Sequence, residues 1–168
     1  MLFFRAGDVI FYRGRSCFSG GKFTHAGIIP EFASDIVAEA IHEGFVLNHL
    51  SDESVRFNCE MWVYRHRDSE FINAGNLQRW VERHLHAETP NPWRPQLQLQ
   101  LHPGSAKGAA KPPPKSDDLR HRWTSKFSSQ GVVSALQAVG VPSFDNFDEL
   151  SPNDLAKLDI WKAKERLK

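Results

Sequence analysis

The sequence predicts an α+β fold in which a small antiparallel sheet carries helices packed on it. Two patterns point there. The first 66 residues hold short β-branched and aromatic runs separated by glycine- and serine-containing turns, the mark of strands. Apolar residues then recur at three- and four-residue steps near 70–86 and again after Ser128, the mark of helices with one buried face. Length sets the scale: 168 residues, 40% hydrophobic and 24% charged, suit one globular domain. A domain of this size buries about two thirds of its unfolded surface and needs neither disulfide nor metal to fold.

The elements follow in order. Residues 8–12 (Asp-Val-Ile-Phe-Tyr) form an apolar run after Gly7 and read as a strand. Arg13 to Phe23, with three glycines and two serines, reads as a loop. His25 to Ile29 is the next strand, closed by Pro30. Ile36 to His42 is rich in β-branched residues, Glu43-Gly44 is a tight turn, and Phe45 to Leu50 returns as the hairpin partner. Met61 to Arg65 completes an antiparallel meander. Phe71, Ala74, Leu77, Val81 and Leu85 predict an amphipathic helix over 70–86, stopped by the prolines of 89–95. Gln96 to His102 alternates Gln and Leu with the period of a half-buried strand. Residues 103–118 are a Pro/Lys-rich, low-complexity insertion that reads as a mobile surface loop. A helix is expected from Ser128 to Val139, ending at Gly140 as its C′ residue. Ser151-Pro152-Asn153-Asp154 combines an N-cap, a first-turn proline and an acidic third position, and starts a last helix through Trp161.

Composition excludes several function classes. Twenty-one basic against 20 acidic residues give a net charge of +1, too balanced for a dedicated nucleic-acid binder. No apolar run reaches the roughly 18 residues of a membrane span. Met1 to Asp8 has no basic segment ahead of an apolar core, so no signal peptide is expected. The default compartment is then the cytoplasm of the producing cell, and export would need a dedicated secretion system. Cys17 and Cys59 make no disulfide framework. His84-Leu85-His86 does not read as a metal site, because helix positions i and i+2 do not face each other and nothing completes a ligand set. No cofactor is expected. Arg79, Arg83 and His84 read as a solvated helix face, and His42 and His49 as surface or cleft-side residues.

Three residues could carry chemistry together. His25 heads a strand just after the glycine-rich loop. Glu39 lies in the middle of the next apolar strand, where alternation puts Val37, Glu39 and Ile41 on one face. A carboxylate among apolar neighbours is costly unless paired. If the two strands are neighbours, Glu39 can accept a hydrogen bond from the His25 ring and fix its tautomer, the base–orienter pair of a nucleophilic triad. The competing reading is a solvent-facing glutamate and a satisfied core histidine. Ser128 lies four residues before Val132, on the stripe formed by Val132, Ala135, Leu136 and Val139. A nucleophile there would feel the positive end of the helix dipole; the competing reading is an N-cap. Cys17 is a rival thiol, but a glycine-rich loop is a poor place to hold a nucleophile. Cys59 reads as structural or incidental.

The order of these segments resembles a known superfamily. Gly7-Asp8-Val9-Ile10-Phe11, a loop, Thr24-His25-Ala26-Gly27-Ile28, then Val37-Ala38-Glu39-Ala40 resembles the opening of the circularly permuted NlpC-type papain-like proteins, especially their YiiX/YebB-like branch. The step from His25 to Glu39 is of the family kind. Ser128-Ser129-Gln130-Gly131-Val132 resembles the family's later helix, which opens with cysteine, and Ser151-Pro152-Asn153-Asp154-Leu155 resembles its late Pro-x-Asp-Leu turn. The resemblance spans most of the chain outside 103–118.

The resemblance implies a permuted papain-like fold and a Cys/His/Glu triad with Ser128 at the cysteine position. Of three explanations, a deliberate Cys-to-Ser replacement that inactivates the protein fits the otherwise intact site best; the others are a natural serine enzyme and a relative that only binds. His25 would move the proton, Glu39 would orient His25, and backbone amides near Ser128 would hold the oxyanion. Ser129, Gln130, Phe18 and Phe23 are candidates to line the cleft. The implied activity is hydrolysis of an amide in a peptidoglycan peptide. The alternative is a phospholipase or acyltransferase acting on lipid esters, as in the related lecithin:retinol acyltransferase-like enzymes, to which the phenylalanine-containing loop would suit. A third reading is a non-catalytic binding module. A small domain of this kind also suits an antibacterial effector toxin, whose partner would be an immunity protein.

Overall fold

The structure, a computed structural model, describes residues 3–13, 22–31, 33–41, 44–51, 59–85, 128–141 and 150–167. Six strands form one antiparallel sheet: β1 (Val9–Arg13), β2 (Phe23–Ile28), β3 (Ile36–Ile41), β4 (Gly44–His49), β5 (Glu60–His66) and β6 (Trp161–Arg166). The helices are α1 (Ala74–His84), α2 (residues 128–138) and α3 (Pro152–Lys157). The α+β class is as the sequence predicts. The expected strand at Gln96 to His102, the 103–118 insertion, His42, His86, Cys17 and Phe18 lie outside the described residues.

The strand order is β4-β3-β2-β1-β5-β6. The first four strands are the predicted meander. The fifth departs from it, because β5 pairs with the open edge of β1 rather than with β4. This makes β1 central, and its sequence explains why. Val9, Ile10, Phe11 and Tyr12 are all buried, as a strand covered on both faces requires. Alternation divides them. Val9 and Phe11 join Ala26, Ile28, Ala38, Ala40 and the apolar stripes of the helices in one core cluster. Ile10 and Tyr12 join Ile29, Val37, Met61 and Val63 in a second.

Two expected helices are corrected at their ends. The predicted 70–86 helix starts at Ala74, capped by the Asn73 side chain, which accepts from the Asn76 amide at 3.0 Å. That cap leaves Phe71 in a preceding 3₁₀ turn (Ser69–Phe71), exposed rather than on the buried stripe with Leu77 and Val81. The last helix has the predicted Ser151 cap and Pro152 but stops at Lys157. Trp161 does not end it. Trp161 begins β6, buried, with its indole N–H donating to the Leu155 carbonyl at 2.9 Å. The rest of β6, Lys162-Ala163-Lys164-Glu165-Arg166, is exposed and has no apolar period, so only its ladder with β5 reveals it as a strand. Charged residues suit a sheet edge, where they discourage pairing with another chain.

α2 ends as expected. Gly140 has φ +84°, a left-handed conformation that favours glycine, and the Val141 and Gly140 amides bond back to the Leu136 and Gln137 carbonyls at 3.1 and 2.9 Å. The entry to β1 is fixed by Asp8, which is fully buried. Arg65 on β5 grips it with both nitrogens, Nε to Oδ1 at 2.8 Å and Nη2 to Oδ2 at 2.6 Å, and the Arg5 amide adds a bond at 2.9 Å. Bidentate arginine–carboxylate pairs are among the stronger polar contacts in proteins. His66, on the same strand, is also fully buried. Its Nδ1 accepts from the Asp68 amide at 3.0 Å, and burial holds its pKa below the usual 6.5.

Removing one partner of such a pair strands the other charge. Asp8→Asn keeps the shape and is expected to lower stability by about 2–4 kcal/mol. Urea denaturation reads this as a lower midpoint, and an unchanged midpoint would mean that the pair adds nothing net.

Candidate active site

His25 and Glu39 reach each other across β2 and β3. His25 Nε2 stands 3.4 Å from Glu39 Oε1, and both side chains are buried. The approach depends on Gly27. A Cβ there would lie 2.5 Å from Val37 Cγ2 and 3.0 Å from Glu39 Cγ, so the glutamate stem lies across the space that glycine leaves. Tyr12 is the cross-strand neighbour of His25, with ring centroids 5.3 Å apart at 48°. Asn48 lies on β4 opposite Val37, one step diagonal to Glu39, and its Nδ2 donates to Glu39 Oε2 at 3.1 Å.

These contacts decide the charge on Glu39. Burial alone would push its pKa up. The proximity and charge of His25, with the Tyr12 hydroxyl and the hydrogen bond from Asn48, outweigh burial and hold it below the ordinary 4.5. A carboxylate facing Nε2 favours the tautomer with the proton on that nitrogen, so Nδ1 is the atom that would act as base.

Ser128 comes to the same strand from the opposite layer. It is fully buried, and its Oγ accepts from the Ala26 amide at 3.2 Å, one residue from His25. The Ile29 amide bonds to the Asp8 carbonyl beside β1. Antiparallel alternation therefore turns the Ile28 and Ala26 amides towards β3. β2 and β3 are in register at Ile28 and Ala38, and past that pair, at Ala26, the amide goes to Ser128. Close packing makes this possible. A Cβ on Gly131 would lie 2.5 Å from Ala40 Cβ and 2.9 Å from Phe45 Cζ, so α2 sits directly on β3 and β4 one turn after Ser128.

The structure thus brings His25 and Glu39 into contact and bonds Ser128 to the residue beside His25. Ser129 is fully buried, and its hydroxyl donates to the Leu150 carbonyl, tying α2 to the segment before α3. Gln130 is half-buried. Phe23 packs inward, 5.3 Å from Phe11 and 5.8 Å from Tyr64, because a register irregularity beside Arg13 turns it towards the helix-side core. Cys59 is buried in the second core cluster. His49 is exposed, 3.4 Å from Asp35, and His84 stacks on Trp80 at 4.0 Å. The sequence reading missed Asn48 and Tyr12. Asn48 was available from hairpin register, since Val46 and Asn48 share the face of Glu39. Tyr12 was available as the one hydroxyl in an apolar strand. Among the described residues, no group of three or more His, Cys, Asp or Glu could hold a metal ion, and no helix is long and apolar enough to cross a membrane.

Two outcomes follow from this geometry. Gly131→Ala is expected to cost about 1–3 kcal/mol, because Ala40 Cβ, fixed to the backbone of β3, and the buried Phe45 ring must both give way. Equal denaturation midpoints for the two chains would refute the close-packing argument. Glu39 has a depressed folded pKa, so its contribution to stability is present above 4.5 and lost as pH falls through the folded value. Stability of the unchanged chain should therefore fall more steeply than that of Glu39→Gln as pH drops below about 4.5. His66 titrates in both and cancels in the difference; parallel curves would contradict an ionised, paired Glu39.

In comparisons with known proteins, no family model, no curated protein and no solved structure matches this chain.

Proposed function

We propose that the chain is a permuted papain-like acyl hydrolase fold, with Ser128 standing where a nucleophilic cysteine acts and a peptidoglycan peptide amide as the substrate. The observation that carries this reading is a pair of contacts on one strand. Ser128 Oγ bonds the amide next to His25, while the His25 ring rests on a buried Glu39 held in its ionised range. A buried serine bonded to the backbone beside a histidine, with a glutamate against that histidine, supplies the three residue types that nucleophilic acyl transfer uses.

With sulfur at position 128, the steps balance without cofactor. His25 Nδ1 takes the thiol proton, and the thiolate attacks the carbonyl carbon. The C–N bond breaks as His25 returns the proton to the leaving amine. Water then attacks the thioester, giving its proton to His25, and the acid leaves as the thiol is restored. Glu39 holds the ring in place and balances the imidazolium. With the serine present, the hydroxyl is hardly ionised near neutral pH, so the chain as it stands is inactive or very slow. Phe23 is half-buried and packs against the core, which weakens the argument from the loop's aromatic residues for a lipid substrate.

The test incubates the chain and its Ser128→Cys variant with purified peptidoglycan and with phospholipid vesicles, and reads products by mass spectrometry. Ser128→Cys is expected to release peptide fragments at least about a hundredfold faster than the unchanged chain. Fatty-acid release instead would move the substrate to lipid esters. If neither protein yields product, and His25→Ala leaves a measured ligand affinity untouched, the cleft is a binding module.

A further inference from the structure

We propose that Asn48 is a positioning residue for this site: it pins one oxygen of Glu39 so that the other faces His25. The inference rests on the acyl-transfer reading above and extends it by one residue, from a different strand. A carboxylate on a flexible stem can rotate, and either oxygen can meet the imidazole. Asn48 Nδ2 holds Oε2 at 3.1 Å while Oε1 stands 3.4 Å from His25 Nε2, so the two contacts divide the carboxylate between them. Gly27 leaves the room that the stem occupies, since Glu39 Cγ lies 3.0 Å from where a Cβ on that residue would be. Backbone register fixes the donor. Asn48 is paired with Val37 in a hairpin that keeps register over six residue pairs, so it cannot drift relative to Glu39 without breaking the ladder.

The position also makes sense of the residue type. Asn48 is half-buried and Glu39 almost wholly so. An amide can donate to the carboxylate and still face water with its remaining polar atoms. It adds no charge, so the histidine keeps the only ion-pair partnership that these contacts give Glu39. A lysine in the same place would compete with His25 for the carboxylate, and an aspartate would repel it.

The experiment uses the full chain with Ser128→Cys as background. The readouts are the alkylation rate of the thiol at position 128 by iodoacetamide, followed by mass spectrometry so that Cys17 and Cys59 are counted separately, and the ¹⁵N NMR signals of the His25 ring. Asn48→Leu removes the donor at similar volume. It is expected to slow alkylation about tenfold or more, as loosened positioning does, and to change the His25 ring signals from one fixed tautomer to a mixture, with the fold intact by circular dichroism. Should Asn48→Leu fail to fold, Asn48→Ala, which also lacks the donor and adds no charge beside Glu39, is expected to give the same two changes. If an Asn48 variant leaves both readouts at the background level while Glu39→Gln alters them, the positioning role is overturned and the acyl-transfer reading stands. If Glu39→Gln and His25→Ala also leave the alkylation rate unchanged, that reading falls, and the positioning role with it.

Discussion

The amide of Ala26 must find a partner, and much of the structure follows from how it does. It lies inside the protein on the side of β2 that turns away from β1. A buried N–H without an acceptor costs about 1–3 kcal/mol. Ser128 Oγ is the acceptor, at 3.2 Å. That bond requires the backbone of α2 to come down on to the sheet, which only small residues allow. Gly131 faces Ala40 with no space for a further carbon, and Ala38 and Ala40 keep the helix side of β3 low. The helix carries Val132, Val133, Ala135 and Leu136 into the core, so the polar contact at its described start and the apolar burial along its length hold it in one position.

The same strands serve the other face with alternate residues. Ala38 and Ala40 receive the helix, and between them Glu39 points to the second layer. On β2, the Ala26 backbone receives Ser128, and the preceding side chain, His25, meets Glu39. Adjacent residues thus place the donor of one contact, the Ala26 amide, next to the side chain of the other, His25. The cost of burying Glu39 is reduced by the Asn48 hydrogen bond on one oxygen and the approach of His25 to the other. Stability at low pH and geometry at the site therefore depend on the same carboxylate.

Alternation and caps made much of this legible in the sequence. The apolar runs place β1 to β4, the spacing of Val132, Ala135 and Leu136 places α2, and Gly140 and Ser151 mark helix ends through backbone chemistry that needs no tertiary context. Three features were hidden for a physical reason. β6 is an edge strand of charged residues, so its ladder, not its pattern, makes it a strand. The place of β5 beside β1 is a matter of topology, which local periodicity does not encode. Phe71 fits the helical period but lies before the Asn73 cap, and a cap overrides periodicity by starting the helix later. At the site, residue types and spacing suggested His25, Glu39 and Ser128. Asn48 and the clamp of Arg65 on Asp8 needed strand register, because each joins residues on different strands.

The identity of the atom at position 128 sets what this arrangement does. With serine, the Ala26 amide donates to a neutral oxygen, and the bond is mainly structural. With cysteine, the same amide would face a sulfur that ionises far more readily, and a donor that suits a hydroxyl suits a thiolate better because the bond becomes charge-assisted. Burial opposes that anion, since position 128 is wholly enclosed. Under the proposed acyl-transfer reading, that opposition would be met by the counter-charge that proton transfer leaves on His25, with Glu39 3.4 Å from the ring to stabilise it. Serine can use the first of these contacts and has little use for the other two, because it seldom gives up its proton. On the proposed reading, a carboxylate held in its ionised range against the histidine suits a thiol at position 128 better than the hydroxyl it holds.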